Sequence, residues 1–259
     1  MASLGSQAVG SIVKLNENGV AADFLVVHQG LPSSSYDSSC DGTWLLRKDI
    51  KNTRTWKPGV YYSESGVCAY LENDYFASLD PGVQSVVKQV KIPATINYSN
   101  KNVGNIDARV FLLSVQELGT TNTTHPLEGS VLSYFSGGAN ATRIAYLSGV
   151  ASNWMSRSIY GNSSSQQYYY VYTNGGIYSF GVTGNVAYGV RPAMILPSDI
   201  EVDGGGNVTV ESGGISGQVP INGVMCDLTG EGYININGVL CPISDSGVNI
   251  GGIINSTKG

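Results

Sequence analysis

The sequence concentrates phenol rings, guanidinium groups and short polar side chains in one stretch, residues 153–197. Trp154 opens it with Ser156, Arg157 and Ser158, and Gly189, Val190, Arg191, Pro192 and Ala193 close it. Between these frames, seven of the chain's sixteen tyrosines lie from Tyr160 to Tyr188, among Ser, Asn, Gln and Gly with almost no charge. Phenols beside such residues stack and pack, while amides and hydroxyls adapt their hydrogen bonds to what is bound; antibody-type binding loops have this composition. The chemistry expected here is therefore binding. The residues expected to carry it are Tyr160, Asn162, Tyr168, Tyr170, Tyr172, Asn174 and Tyr178, with Ser163 and Ser164 as further hydrogen-bonding groups. The competing reading is an edge sheet with tyrosines lying flat on its surface.

Groups that make or break bonds are sparse. The chain has no nucleophile elbow, phosphate loop, His-Glu-x-x-His helix, dinucleotide fingerprint or EF-hand loop. Of its two histidines, His28 ends an apolar run and reads as a structural hydrogen-bonder, and His125 sits in a loop. Paired carboxylates for glycan cleavage could come from Asp37, Asp41, Glu64, Glu72 and Asp74, whose separation sequence does not give. Cys40, Cys68, Cys226 and Cys241 include no Cys-x-x-Cys pair, which argues against zinc or redox chemistry. They are expected to be free thiols, as in a reducing compartment. We expect no catalytic residue, no metal and no cofactor.

The elements that must position the tyrosines can be read from pattern. Gln166–Thr173 is a strand whose period of two places Tyr168, Tyr170 and Tyr172 on one face and Tyr169 and Val171 on the other. Trp154 is expected to anchor the core beneath it. Arg157 and Arg191 can each donate a fork of hydrogen bonds to loop carbonyls or to an acidic partner, with Arg191 as a plain surface charge the alternative. Residues 9–27 read as a hairpin turning at Asn16-Glu17-Asn18-Gly19. Val67, Leu71, Tyr75 and Leu79 form a helical stripe over 65–79, and Val83, Val86, Val87 and Val90 another over 81–90, which Asp80 and Pro81 start and Pro93 stops. Both helices should bury Leu71, Val83, Val87 and Val90. Residues 94–107 read as a polar insertion, 108–113 as an apolar strand, and Ser114-Val115-Gln116-Glu117 as a capping box for a short helix ended by Gly119. Ser130–Phe135 reads as a helical turn or two.

Beyond the turn at Asp203–Asn207 the texture changes. Residues 217–228 and 232–243 repeat at an offset of fifteen, each copy a strand, an Asn-Gly turn and a second strand, with Cys226 and Cys241 in equivalent places. Two such hairpins are too small to stand alone in water. They read as an attachment or oligomerisation module, or else as an extension of the main sheet. The expected domains are 1–200 and 201–259.

Charged residues make up 13% of the 259, glycine numbers 34 and the net charge is −5, a profile of a loop-rich β protein and not of a nucleic-acid binder. There is no apolar run long enough for a membrane span, and the N-terminus carries no secretory pattern. The six Asn-x-Ser/Thr sequons, at Asn97, Asn122, Asn140, Asn162, Asn207 and Asn255, therefore read as chance.

Several longer strings carry a resemblance. They are Val9–Ser11 with Lys14–Asn16, Val26–Ser34, Tyr36–Cys40, Gly42–Leu46, Val87–Pro93, Phe111–Ser114, Trp154–Ser158 and Gly189–Ser198. Over residues 5–200 the chain resembles an uncharacterised family encoded in phages and prophages of gut Firmicutes, often beside tail genes. It departs from that family with Asn153 for a usual Trp and Met155 for a usual Leu. The Trp/Arg-Ser frame and the closing Gly-x-Arg-Pro also resemble C-type-lectin-like domains of the formylglycine-generating-enzyme type, which phages use as variable receptor binders. The redox cysteines of that enzyme and the calcium-binding triplets of animal lectins have no counterpart here.

The resemblance implies an α+β, C-type-lectin-like domain with a mixed, mostly antiparallel sheet and two helices, followed by the small all-β hairpin module. It implies a virion structural protein assembled in the host cytoplasm, of the tail or receptor-binding type, without enzymatic activity. The expected partners are other virion proteins, further copies in a homo-oligomer, and a host-surface glycan or protein, with no nucleic acid and no membrane insertion. The alternative is a capsid decoration, head-fibre or tail-assembly protein with a purely structural role; a cell-wall hydrolase is a distant third.

Overall fold

The computed structural model describes residues 1–120, 126–160, 167–180 and 186–210, and the backbone of six strands between residues 218 and 255. It divides into two compact units, Met1–Thr209 and Val210–Gly259. The first unit mixes helix and sheet, with most strands antiparallel.

One five-stranded sheet orders its strands Ile12–Glu17, Val20–Gln29, Thr43–Arg47, Ala193–Leu196 and Val110–Phe111. The first two make the expected hairpin, turning at Asn18 and Gly19 with φ of 51° and 75°. Two successive positive φ values match the right-handed twist of the flanking strands, which is why Asn-Gly serves there. Thr43–Leu46 and Ala193–Leu196 are buried along their whole length, as central strands covered on both faces must be.

The second five-stranded sheet orders Ile177–Phe180, Gln167–Val171, Trp154–Tyr160, Ala187–Val190 and Asn52–Thr55. The chain passes between the two sheets at Arg47–Asn52 and again at Arg191–Pro192. The crossings are tied together where Arg47 N–H donates to Pro192 O at 2.8 Å. Strands Trp154–Tyr160 and Ala187–Val190 run parallel, paired at Trp154 and Gly189. A Cβ on Gly189 would sit 2.7 Å from Asn153 O, so glycine permits that close approach.

The helix expected over 65–79 runs from Gly66 to Ser78, and Ser65 caps it by accepting from Cys68 N–H at 3.1 Å. Val67, Leu71, Tyr75 and Leu79 are all buried. A strict four-residue repeat drifts around an ordinary 3.6-residue helix; the π turn at Leu71–Tyr75 is wider and keeps the stripe on one face.

The second helix is shorter than the pattern suggests, Pro81–Val86. Lys88 N–H instead donates to Ile195 O at 2.9 Å, and Val90–Asn97 becomes a strand. Leu71, Val83, Val87 and Val90 are nevertheless buried as expected. Asp80 precedes Pro81 but spends its carboxylate on Gly19 N–H at 3.0 Å rather than on its own helix. The segment read as a polar insertion is the return strand of a hairpin, Asn102–Ala108 on Val90–Asn97, whose alternation is weak because Ala108 alone of its seven residues is buried, so that neither face requires a row of apolar side chains. Ser133–Phe135 is a short 3-10 turn.

Cys40 and Cys68 are buried and unpaired, and burial pushes both thiols up to about 11. The Asp203–Asn207 turn is no boundary. It joins Glu201–Val202 to Val208–Thr209 in a small sheet with Ala2–Ser3, so the first unit closes on its own N-terminus.

In the second unit the strands Gln218–Ile221, Val224–Thr229, Tyr233–Ile236, Val239–Ser244, Gly247–Ile250 and Ile253–Asn255 form one antiparallel meander in chain order. It contains the two repeat hairpins and a third that the repeat does not announce.

Candidate functional site

Arg157 lies at the centre of the first unit. Its guanidinium meets Glu117 in a two-pronged pair, Nη1–Oε2 and Nη2–Oε1 both at 2.6 Å, with neither side chain exposed. Nε donates to Pro93 O at 3.0 Å and Nη1 to Leu112 O at 2.8 Å, so the expected fork reaches both kinds of partner. Burial disfavours the cation, but the Glu117 charge outweighs it and the guanidinium is held more firmly protonated.

Glu117 also completes the capping box. Its N–H donates to Ser114 Oγ at 3.1 Å, and its Oε2 accepts from Ser114 N–H at 2.9 Å. Tyr36 Oη donates to its other oxygen at 2.9 Å. Glu128, equally buried, accepts from Thr95 N–H and Oγ1–H at 2.7 Å each and from the Ser158 hydroxyl. Burial raises its pKa, against the pull of Arg157. Sequence reasoning missed Glu128, which lies in a stretch that reads as loop. This constellation resembles a catalytic cluster but has no opening to solvent: it is a buried clamp that carries the tyrosine sheet.

Trp154 is fully buried, and its indole N–H donates to Arg143 O at 2.9 Å. Arg191 lies 5.0 Å above its ring and is buried, not a surface charge. Its Nε donates to Arg47 O at 2.8 Å, while burial pulls its pKa down to about 10 against the weaker opposing pull of Tyr134 and Asp49. Arg143, a third buried arginine that the sequence did not single out, donates to Gly175 O, Leu118 O and Asn140 Oδ1. It fastens the Tyr172–Gly176 turn to the domain; a Cβ on Gly175 would fall 1.8 Å from Asn140 O.

On this base the tyrosines divide as their alternation requires. Tyr160 and Tyr169 meet edge to face on one side, Tyr160 half-exposed and Tyr169 buried. Tyr168, Tyr170, Tyr172 and Tyr178 share the other side with Tyr188 and Trp56. Tyr168 stacks on Trp56 at 4.7 Å and Tyr170 on Tyr188 at 4.8 Å; Tyr178 lies 6.4 Å from Tyr170 and 5.5 Å from Tyr172.

Tyr168 and Tyr170 are 0% and 6% exposed, which corrects the expectation that they are surface rings. Trp56, which directly follows the edge strand Asn52–Thr55 and whose contribution is not readable locally, roofs Tyr168, and Tyr188 covers Tyr170. Burial raises both phenols above their ordinary range. The rings that meet solvent are Tyr172 and Tyr178, 42% and 44% exposed, and the half-buried Tyr188. Asn174 is exposed, its Oδ1 accepting from Gly176 N–H at 2.9 Å. Asn162, Ser163, Ser164 and His125 lie outside the described residues.

The row continues across the sheet. Tyr188 is the register partner of Arg54, whose guanidinium lies 4.1 Å over the Tyr70 ring. Arg54 and Tyr70 line a concavity of about 330 Å3 with Thr55, Lys57, Asn73 and Asp74. A larger one, about 560 Å3, is bordered by Glu17, Asp23, Arg47, Asp49 and Lys51; Glu17 engages both its Arg47, at 2.9 Å, and its Lys51, at 2.6 Å.

The other candidates have structural tasks. His28 Nδ1 accepts from Ser133 N–H at 3.2 Å, and burial lowers its pKa. Asp37 Oδ1 accepts from Ser39 N–H, Glu64 from Val60 N–H, and Glu72 pairs with Arg109 at 3.1 Å. Among the described residues no group of three or more His, Cys, Asp or Glu could hold a metal ion, and no helix is long and apolar enough to cross a membrane.

A family described as a domain of unknown function (DUF6273) matches residues 41–198, and the chain belongs to that family. The match spans the frames, the tyrosine sheet and the Arg54 concavity. No curated protein and no solved structure matches the chain significantly.

Proposed function

We propose that this DUF6273 member is a non-enzymatic bacteriophage virion protein, with a C-type-lectin-like domain that binds a host-surface glycan or protein through its tyrosine face. The observation that carries the reading is the layered aromatic row: Tyr172, Tyr178 and Tyr188 meet solvent while Tyr168 and Tyr170 beneath them are buried. Rings held by rings lose little entropy on binding, which suits a recognition surface. The buried Arg157–Glu117 clamp below lets the surface residues vary without unfolding the domain. Among the described residues, Gln218–Ile221 and Ile253–Asn255 are the edge strands of the C-terminal meander, and such edges suit attachment to other virion proteins or to further copies.

The test changes the exposed rings, Tyr172→Ser with Tyr178→Ser. Virions that carry the variant should lose adsorption to host cells, while the melting temperature of the isolated protein stays near the parent's, since exposed substitutions cost within about 0.5 kcal/mol each. Failed particle assembly, with adsorption intact in surviving particles, would instead favour the purely structural role, in which the tyrosine face packs on a neighbouring subunit.

A further inference from the structure

We propose that the ligand of the tyrosine face is an acidic glycan: its sugar rings lie along Tyr172, Tyr178 and Tyr188, and its anionic group enters the concavity at Arg54 and Lys57. The inference rests on the tyrosine-face reading and adds a ligand class to it. The row of rings does not stop at Tyr188. Cross-strand partners in an antiparallel pair project to the same face, so Arg54 stands beside Tyr188 at the end of the row. The exposed rings Tyr172 and Tyr178 have centroids 5.5 Å apart, a step comparable to a monosaccharide unit, and Tyr178 and Tyr188 both pack on the buried Tyr170, at 6.4 and 4.8 Å. The apolar C–H face of a pyranose packs on a phenol face, while its hydroxyls bond to the polar groups at the rim.

The charge at the row's end is available. Arg54 and Lys57 are exposed, and among the described residues no carboxylate forms an ion pair with either, whereas Arg47 and Lys51 of the larger concavity both pair with Glu17. The Arg54 guanidinium carbon lies 4.1 Å over the Tyr70 ring, a contact that holds the group at the concavity, and its N–H groups can donate to a carboxylate or phosphate. Asp74 is the single carboxylate among the residues lining the concavity, set against these two cations. A cationic pocket on a chain of net charge −5 is a local reversal of sign, which favours an anionic ligand over a neutral one. Carboxylate and phosphate sugars share this chemistry.

Calorimetric titration of the full chain separates the cases. The probes are tetragalacturonate, its uncharged methyl ester, and a phosphodiester-linked N-acetylglucosamine oligomer. At least one acidic probe should bind about ten-fold or more tighter than the ester, a difference worth one charge-assisted contact, and its affinity should fall as sodium chloride is raised. Arg54→Ala with Lys57→Ala should erase that preference and leave the ester's weaker binding unchanged. Tyr172→Ser with Tyr178→Ser should abolish binding of all three probes. Whichever acidic probe prevails identifies the anion.

An ester that binds as tightly as the acids would overturn the anionic class and leave the tyrosine face standing. Silence from all three probes, with host adsorption still lost in the tyrosine variant, would also overturn it and point to a protein receptor. Probe binding and host adsorption both indifferent to the tyrosine variant would sink the tyrosine-face reading itself.

Discussion

At the scale of single residues, the first unit hides charge where alternation alone predicts apolar side chains. Glu17 occupies an inward position of its strand in register with Val13 and Leu15, and it is 5% exposed. Burial alone would raise its pKa, but hydrogen bonds from Arg47, Lys51 and Tyr75 outweigh that and hold the carboxyl below its ordinary value near 4.5. A carboxyl whose folded pKa is depressed stabilises the fold above its unfolded pKa and loses that contribution as pH falls through the folded one. The melting temperature should therefore drop as the medium is acidified below about pH 4.5, where the ordinary carboxyl begins to protonate. Glu17→Gln should cost about 1–3 kcal/mol at neutral pH and show a shallower acid-side decline than the parent. Acid-side melting curves of parent and variant that fall in parallel would remove Glu17 from the account. Glu128 pulls in the opposite direction, since its raised pKa favours the fold below the unfolded value and loses that advantage as pH rises.

At the scale of elements, how much was legible depended on whether the deciding partner was local. The hairpin read over 9–27 and the Ser114/Glu117 box are written in adjacent residues; the hairpin forms over Ile12–Gln29, and the hydrogen bonds of the box form but close a turn at 115–119 and not a helix. The second helix was overextended because Val87 and Val90 fit a helical stripe and a buried strand equally well; a long-range bond from Lys88 to Ile195 decides between them. The tyrosine strand shows the same limit. Its alternation was legible, but which rings are covered depends on Trp56 and Tyr188, far away in sequence. The two kinds of ring should respond differently to one substitution. Tyr168→Ser removes a fully buried ring stacked on Trp56 and should cost about 3–5 kcal/mol, whereas Tyr172→Ser should shift stability by about 0.5 kcal/mol or less. Chemical denaturation of both variants checks this, and equal costs would mean that the face is not layered.

At the scale of the molecule, the change of texture after residue 200 was visible, but its boundary was misplaced by the glycine run. Gly204, Gly205 and Gly206 suggest a linker, yet the Asp203 carboxylate accepts from Gly205 N–H at 2.8 Å and Asn207 N–H at 2.9 Å and shapes a tight turn. That turn returns Val208–Thr209 onto Glu201–Val202, which pairs in turn with Ala2–Ser3. The segment is thus a closing strap for the first unit, further tied where Lys14 N–H donates to Gly206 O at 2.8 Å. Two truncations should consequently differ. A chain ending at Thr209 keeps the strap and should remain folded, with a melting transition near that of the parent's first unit, while losing attachment to the virion or oligomer if the meander supplies it. A chain ending at Asp199 leaves the edge of Ala2–Ser3 unpaired and uncovers Val202's site against the core, so it should melt at a lower temperature, by several degrees for each kcal/mol lost. Coincident melts for the two truncations would show that the strap contributes nothing. Unfolding of the Thr209 chain would show that the first unit depends on the meander and would remove its reading as a separate attachment module.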